Sequence, residues 1–152
     1  MNHNQMNYSR ITRDIYIGTN FCCQLHFDKH LLKKGITVDI SLEQTRVDAP
    51  FGVAWYLWLP TRDHTVPSRD KLTMGVHALQ HALATGHKVY VHCKNGHGRA
   101  PTLVAAYFIS IGMTAQEAIA LIKTHRPEIH LEKTQKRALE RFAQQHAKNT
   151  RA

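Results

Sequence analysis

Five residues separate a thiol from a guanidinium in the stretch Val89-Tyr90-Val91-His92-Cys93-Lys94-Asn95-Gly96-His97-Gly98-Arg99-Ala100-Pro101-Thr102. Gly96 and Gly98 let the backbone between them curl, so that its N–H groups turn inward. An apolar run of helical length follows, and the positive end of that helix points at the same spot. Together these make a cradle for a tetrahedral dianion with a nucleophile at its floor. A helix N-terminus ringed by donors favours the thiolate form of a cysteine. The planar fork of Arg99 can hold two phosphoryl oxygens. A cation there otherwise opposes the helix dipole, so it implies a bound anion. The phosphate-binding set is therefore Lys94, Asn95, Gly96, His97, Gly98 and Arg99.

Phosphoryl transfer to sulfur also needs an acid for the leaving oxygen. Asp63 lies thirty positions before Cys93, on a loop of turn formers, Thr61 to Pro67. Partly shielded by neighbours such as Trp58 and Pro67, it can protonate an alkoxide and then take a proton from water. Asp70 competes for that role, but as a first-turn residue it complements a helix dipole instead. His92, at a strand end, is expected to be buried and to hydrogen-bond backbone, orienting the loop. Lys94 and His97 are expected to face outward, toward substrate beyond its phosphate or toward water. Two histidine pairs, His26/His30 and His77/His81, have helical spacing, but neither brings a third ligand or an acidic partner. No metal and no cofactor are expected.

The elements that must position these groups follow from periodicity. Strands are read at Ile11 to Gly18, Ile36 to Leu42, Val53 to Leu59 and Lys88 to His92. The third is continuously apolar, as a strand buried on both faces would be, and Pro60 ends it. Helices are read at Phe21 to Lys34, from a Ser68 cap to Thr85, and at Pro101 to Ile111. Two more are read from the capping box Thr114-Ala115-Gln116-Glu117 to Arg126-Pro127, and from Glu132 to Ala147. Strands alternating with helices define an α/β class with a mainly parallel central sheet of about four or five strands. Ligands bind beyond the carboxyl ends of such strands, where both the Cys93 turn and the Asp63 loop lie.

The chain of 152 residues is 43% hydrophobic and 20% charged, as one soluble domain over residues 1–152 would be. The polar start, Met1 to Asn7, has no secretory apolar core and reads as a frayed tail. No apolar run reaches the length of a membrane span. Cys22 and Cys23 are adjacent and Cys93 is alone, which is not a disulfide framework. The expectation is a reducing, cytoplasmic setting, with Cys22 and Cys23 as small core residues. A net charge of +9 favours anionic partners. It is dispersed, so nucleic acid is a minor possibility. The chain is expected to act as a monomer.

The motif His92-Cys93-x-x-Gly96-x-x-Arg99 resembles the signature loop of the cysteine-dependent protein tyrosine phosphatases. Pro60-Thr61-x-Asp63 is similar to the general-acid loop of their dual-specificity branch, and the likeness covers roughly residues 8 to 145. It implies a phosphotyrosine phosphatase-like fold, with Cys93 as nucleophile, Arg99 as phosphate clamp and Asp63 as general acid. It implies as substrates phosphorylated proteins, on tyrosine and on serine or threonine. One departure stands out. The family usually carries Ser or Thr directly after the arginine, to stabilise the departing thiolate; here Ala100 and Pro101 precede Thr102. Either Thr102 substitutes or hydrolysis of the phosphocysteine is slow. Lys94 and the net charge leave a phosphoinositide, a phospholipid head group or an RNA 5′-phosphate as alternatives. Ala100 also motivates a reading of another class, a non-catalytic phosphate-binding module.

Overall fold

The structure, a computed structural model, describes residues 6–20 and 26–151. Among these residues five strands, β1 (Tyr8–Arg10), β2 (Ile15–Gly18), β3 (Ile36–Glu43), β4 (Trp55–Thr61) and β5 (Lys88–His92), form one sheet. Its order is β1-β2-β5-β3-β4. The last four run parallel, and β1 lies antiparallel on β2. The helices are α1 (Lys29–Lys33), α2 (Arg69–Ala84), α3 (Arg99–Ser110), α4 (Ala115–His125) and α5 (Lys133–Arg151).

Strand alternation, with a register shift between Ile36 and Val38 in β3, sends side chains to two cores. Ile15, Ile17, Val38, Ile40, Val89 and Val91 face one side, where they meet Leu72, Val76 and Leu79 of α2 and Leu103 of α3. Tyr16, Ile36 and Tyr90 face the other, where they meet Phe27 and Leu31. The apolar sequence of α3 places it at the centre of the helical layer, with ten of its twelve residues buried. A Cβ on Gly75 would stand 2.5 Å from a Leu103 methyl, so a glycine in α2 sets how closely α2 and α3 approach. Truncating the fully buried Leu103 to Ala should cost about 3 kcal/mol.

Several expectations need correction. The strand read from Ile11 begins only at Ile15, because the Thr12 hydroxyl accepts from the N–H groups of Asp14 and Ile15 and makes a turn. Of the helix read from Phe21, residues 21–25, with Cys22 and Cys23, lie outside the described residues. The helix itself starts at Lys29, capped by the Asp28 carboxylate on the N–H groups of His30 and Leu31. His26 precedes it, so His26 and His30 do not share a helix face. Strand β4 is a sheet edge, not a strand buried on both faces, and Trp58 is 38% exposed. The edge accommodates Pro60, which has no N–H to donate, and the strand runs on to Thr61. The tail is not free through Asn7. Its carbonyl accepts from Thr19 N–H, and its side-chain oxygen accepts from Arg126. Ser68 and Thr114 cap α2 and α4 as read. Helix α5 runs past Ala147 to Arg151.

Candidate active site

Register aligns the ends of four strands at one sheet edge: Gly18 with His92, Ser41 with His92, and Glu43 with Thr61. At Glu43 and just beyond the other ends, at Asn20, Cys93 and Asp63, stand the polar groups of this edge. Asp63, Cys93, His97 and Arg99 line one open cleft of about 110 Å³, with His130 and Gln135 on its far wall. The structure therefore brings together Cys93, Arg99 and Asp63, the residues expected as nucleophile, clamp and acid. Asn95 and Gly98 also line the cleft, whereas Lys94 is exposed outside it.

Cys93 is buried at the turn from β5 into α3. The turn closes because Gly96 adopts a φ of +67°; a Cβ there would stand 2.7 Å from the Gly18 carbonyl. Arg126, fully buried, braces the loop from behind. It donates to the carbonyls of Gly96 (2.9 Å) and Asn95 (3.1 Å), and to Asn7 and Ser9. With both carbonyls held backward, the loop is free to present its N–H groups to an anion.

The guanidinium of Arg99 is held by three strand-end elements. It donates from Nη1 to the Thr61 carbonyl at 2.9 Å, stands 3.6 Å from Glu43 Oε1, and has its Nε 3.4 Å from Asp63 Oδ1. Burial pushes the Glu43 carboxyl up. Hydrogen bonds from Asn20 and Thr45 and the charge of Arg99 outweigh it and bring the pKa to about 2. Glu43 is thus an anion throughout the physiological range. The Thr102 hydroxyl donates to the Gly98 carbonyl at 2.7 Å, which engages its proton within α3.

Asp63 is half-exposed and accepts from His64 N–H at 2.9 Å. His64 itself has a φ of +62° and faces Glu132 Oε1 at 3.2 Å. Gln135, buried, donates to the Thr65 carbonyl and accepts from Glu132 N–H, so the acid loop is tied to the start of α5. Asp70 is exposed in the first turn of α2 and does not line the cleft.

His92 is fully buried, and both ring nitrogens meet side chains. Nδ1 stands 3.0 Å from Asn20 Oδ1, and Nε2 stands 3.0 Å from Asp39 Oδ1 and 3.7 Å from Asp48 Oδ2. Burial raises the Asp39 pKa, and the nearby Asp48 adds to this against the pull of His92. Arg46 pairs with Asp48 at 2.9 Å. Asp39, Asp48 and His92 thus gather metal-capable donors at a place the histidine spacings did not indicate. The Arg46 cation faces Asp48, and His92 Nε2 stands 3.0 Å from Asp39. Asn20, Glu43, Arg126 and Gln135 were not singled out from the sequence, where no spacing links them to Cys93.

This geometry, a cysteine and an arginine around a glycine turn with an aspartate across the cleft, is the arrangement that the resemblance to cysteine-dependent phosphatases implies. The chain belongs to the dual specificity phosphatase catalytic-domain family, whose model matches residues 15–145. A mouse protein, phosphatidylglycerophosphatase and protein-tyrosine phosphatase 1, is 38% identical over 147 residues, 89% of this chain and 75% of its own length. The Arabidopsis thaliana phosphatidylglycerophosphate phosphatase PTPMT2 is 34% identical over 58% of this chain. The match spans 40% of that protein and 45% of a human relative, so the chain spans less than half the length of those two. Among solved structures, PTPMT1 in complex with PI(5)P superposes with a TM-score of 0.79 at 27% identity, over 94% of this chain and 98% of that one. DUSP15 shares the fold, with a TM-score of 0.80 at 22% identity.

Proposed function

We infer that this protein hydrolyses phosphomonoesters through a phosphocysteine, and that its substrate is a phospholipid head-group phosphate. The observation that carries the chemistry is the shared cleft of Cys93, Arg99 and Asp63. The Cys93 thiolate attacks phosphorus while Arg99 and the loop N–H groups hold the non-bridging oxygens. The S–P bond forms as the ester P–O bond breaks, and the leaving oxygen takes a proton from Asp63. The Asp63 carboxylate then takes a proton from water, whose oxygen attacks phosphorus. The S–P bond breaks, inorganic phosphate departs and the thiolate is restored.

Two observations support a lipid substrate. The relatives named above are phosphatidylglycerophosphate phosphatases, and one solved relative holds PI(5)P. The phosphate cleft also opens into a groove lined by Lys133 and Lys136, with His64, His130 and Glu132 common to both. Such cations suit a substrate with a second anionic group beyond the phosphate to be removed. Phosphotyrosine proteins are the second reading, supported by the name of the mouse relative. We also place the protein in a reducing compartment, because the mechanism requires a free Cys93 thiol.

The test compares phosphate release from phosphatidylglycerophosphate, phosphoinositides and phosphotyrosine peptides at matched concentrations, with Cys93→Ser as control. Preference for either lipid supports the reading, and preference for the peptides replaces it with the second. A wild-type protein that binds phosphate but releases none from any substrate is a binding module.

A further inference from the structure

We propose that Asn20 is a positioning residue that ties the histidine before the nucleophile to the phosphate clamp. Its amide bridges two buried groups. Asn20 Nδ2 donates to Glu43 Oε2 at 3.0 Å, and Asn20 Oδ1 stands 3.0 Å from His92 Nδ1. Glu43 in turn stands 3.6 Å from Arg99 Nη1. One side chain from the segment after β2 thereby spans the ends of β5 and β3, and acts on α3 through Glu43.

Proton bookkeeping gives the bridge a direction. An ionised carboxylate only accepts, so the Asn20 amide nitrogen must face Glu43 and its oxygen must face His92. His92 Nδ1 therefore carries a proton. Its other nitrogen faces Asp39 at 3.0 Å, which fixes the ring from both sides. The His92–Cys93 backbone and the Glu43–Arg99 pair then share one anchor. The charged groups facing Glu43 are Arg99 from α3 and, across Asn20, His92 from β5. Asp39 from β3 and Asp48 and Arg46 from the loop after it stand behind His92.

Asn20→Asp separates the two arms of the bridge. It keeps the shape and the acceptor toward His92, but it sets a second carboxylate against Glu43. The proposal rests on the phosphatase reading, so wild-type phosphate release is established first. Inorganic phosphate affinity, measured by calorimetry from pH 4 to pH 8, then gives a readout that does not need turnover. Near neutral pH, Asn20→Asp and Asn20→Ala should each weaken phosphate binding and kcat/KM about tenfold, the loss of a hydrogen bond to a charged group. The Asn20→Asp defect should shrink toward pH 4, as a proton enters between the two carboxylates. In the Glu43→Gln background, Asn20→Ala should add less than about twofold. Asn20→Asp with wild-type affinity, a defect that does not change with pH, or full additivity with Glu43→Gln overturns the proposal. An Asn20→Ala protein that does not fold leaves the Asn20→Asp profile and the Asn20→Asp/Glu43→Gln pair to decide it.

Discussion

Asp63 Oδ1 lies 3.4 Å from Arg99 Nε, so the acid and the clamp of the proposed reaction meet before substrate arrives. An entering phosphoryl group competes with that carboxylate for the guanidinium, and its arrival frees Asp63 to turn toward the ester oxygen. Asp63→Asn should lower kcat about a hundredfold on alkyl phosphates and much less on p-nitrophenyl phosphate, whose leaving group needs no proton. KM should hold or fall, because a competitor for Arg99 loses its charge. Steady-state kinetics on both ester types check this, and equal losses on both would remove Asp63 from the acid role.

Ala100 brings no hydroxyl into the cleft, and the hydroxyl of Thr102 is engaged by Gly98. The departing thiolate of the second step is left to backbone donors. Rapid mixing with an aryl phosphate should therefore show a burst of leaving group followed by slower turnover. Ala100→Ser should raise the steady-state rate by about tenfold, the worth of one hydrogen bond to a developing charge. Thr102→Val should leave the rate within about twofold, because its bond serves the helix rather than the sulfur. A linear trace from the first turnover contradicts the assignment of the slow step.

That Cys93, Arg99 and Asp63 share one cleft was legible in the sequence because their signals are local. Cys93 and Arg99 share one turn, whose glycines announce its shape, and Asp63 sits in a loop marked by Pro60 and Pro67. The groups that hold them were not legible. Arg126 reads only as a helix end before a proline, yet the fold carries its guanidinium under the Gly96 carbonyl from thirty residues away. Asn20 and Glu43 meet because β2 and β3 flank β5, a pairing order no local pattern states. Strand β1 is three residues, Tyr8–Arg10, too short for any periodicity and defined by its pairing with β2. The apolar run of β4 suggested a buried strand, because an edge strand and a central one of that composition look alike until their neighbours are known.

Glu43 makes the site a source of acid sensitivity. Its pKa is held at about 2 in the folded chain, against an ordinary value of 4.5. A depressed carboxyl contributes stability that is complete above the unfolded value and is lost as pH falls through the folded one. The window is therefore from about pH 4.5 down to about pH 2, and the loss is on the order of 3 kcal/mol. Urea unfolding of the wild type and Glu43→Gln at several pH values measures it. The stability gap between the two should be widest near neutrality and should narrow across that window. A gap that does not change with pH assigns the sensitivity to another group.

Arg126 donates to the carbonyls of Asn95 and Gly96 while its Nη1 reaches Asn7 and Ser9, so one buried guanidinium joins the phosphate loop to the first strand. Arg126→Met fills much of the space but leaves the buried Gly96 carbonyl and the part-buried Asn95 carbonyl without this donor, at about 3 kcal/mol in all. For a chain of this size that is a drop in Tm of about 10 °C. The loop carbonyls would then be free to rotate toward the cleft, where they oppose an anion. Vanadate affinity, measured well below the lowered Tm, should therefore fall by about tenfold or more. Arg126→Lys retains a charge but cannot reach both carbonyls with the geometry of a fork. It should recover part of the stability and little of the affinity. Recovery of full vanadate binding by lysine would show that the charge alone, and not the paired donation, shapes the loop.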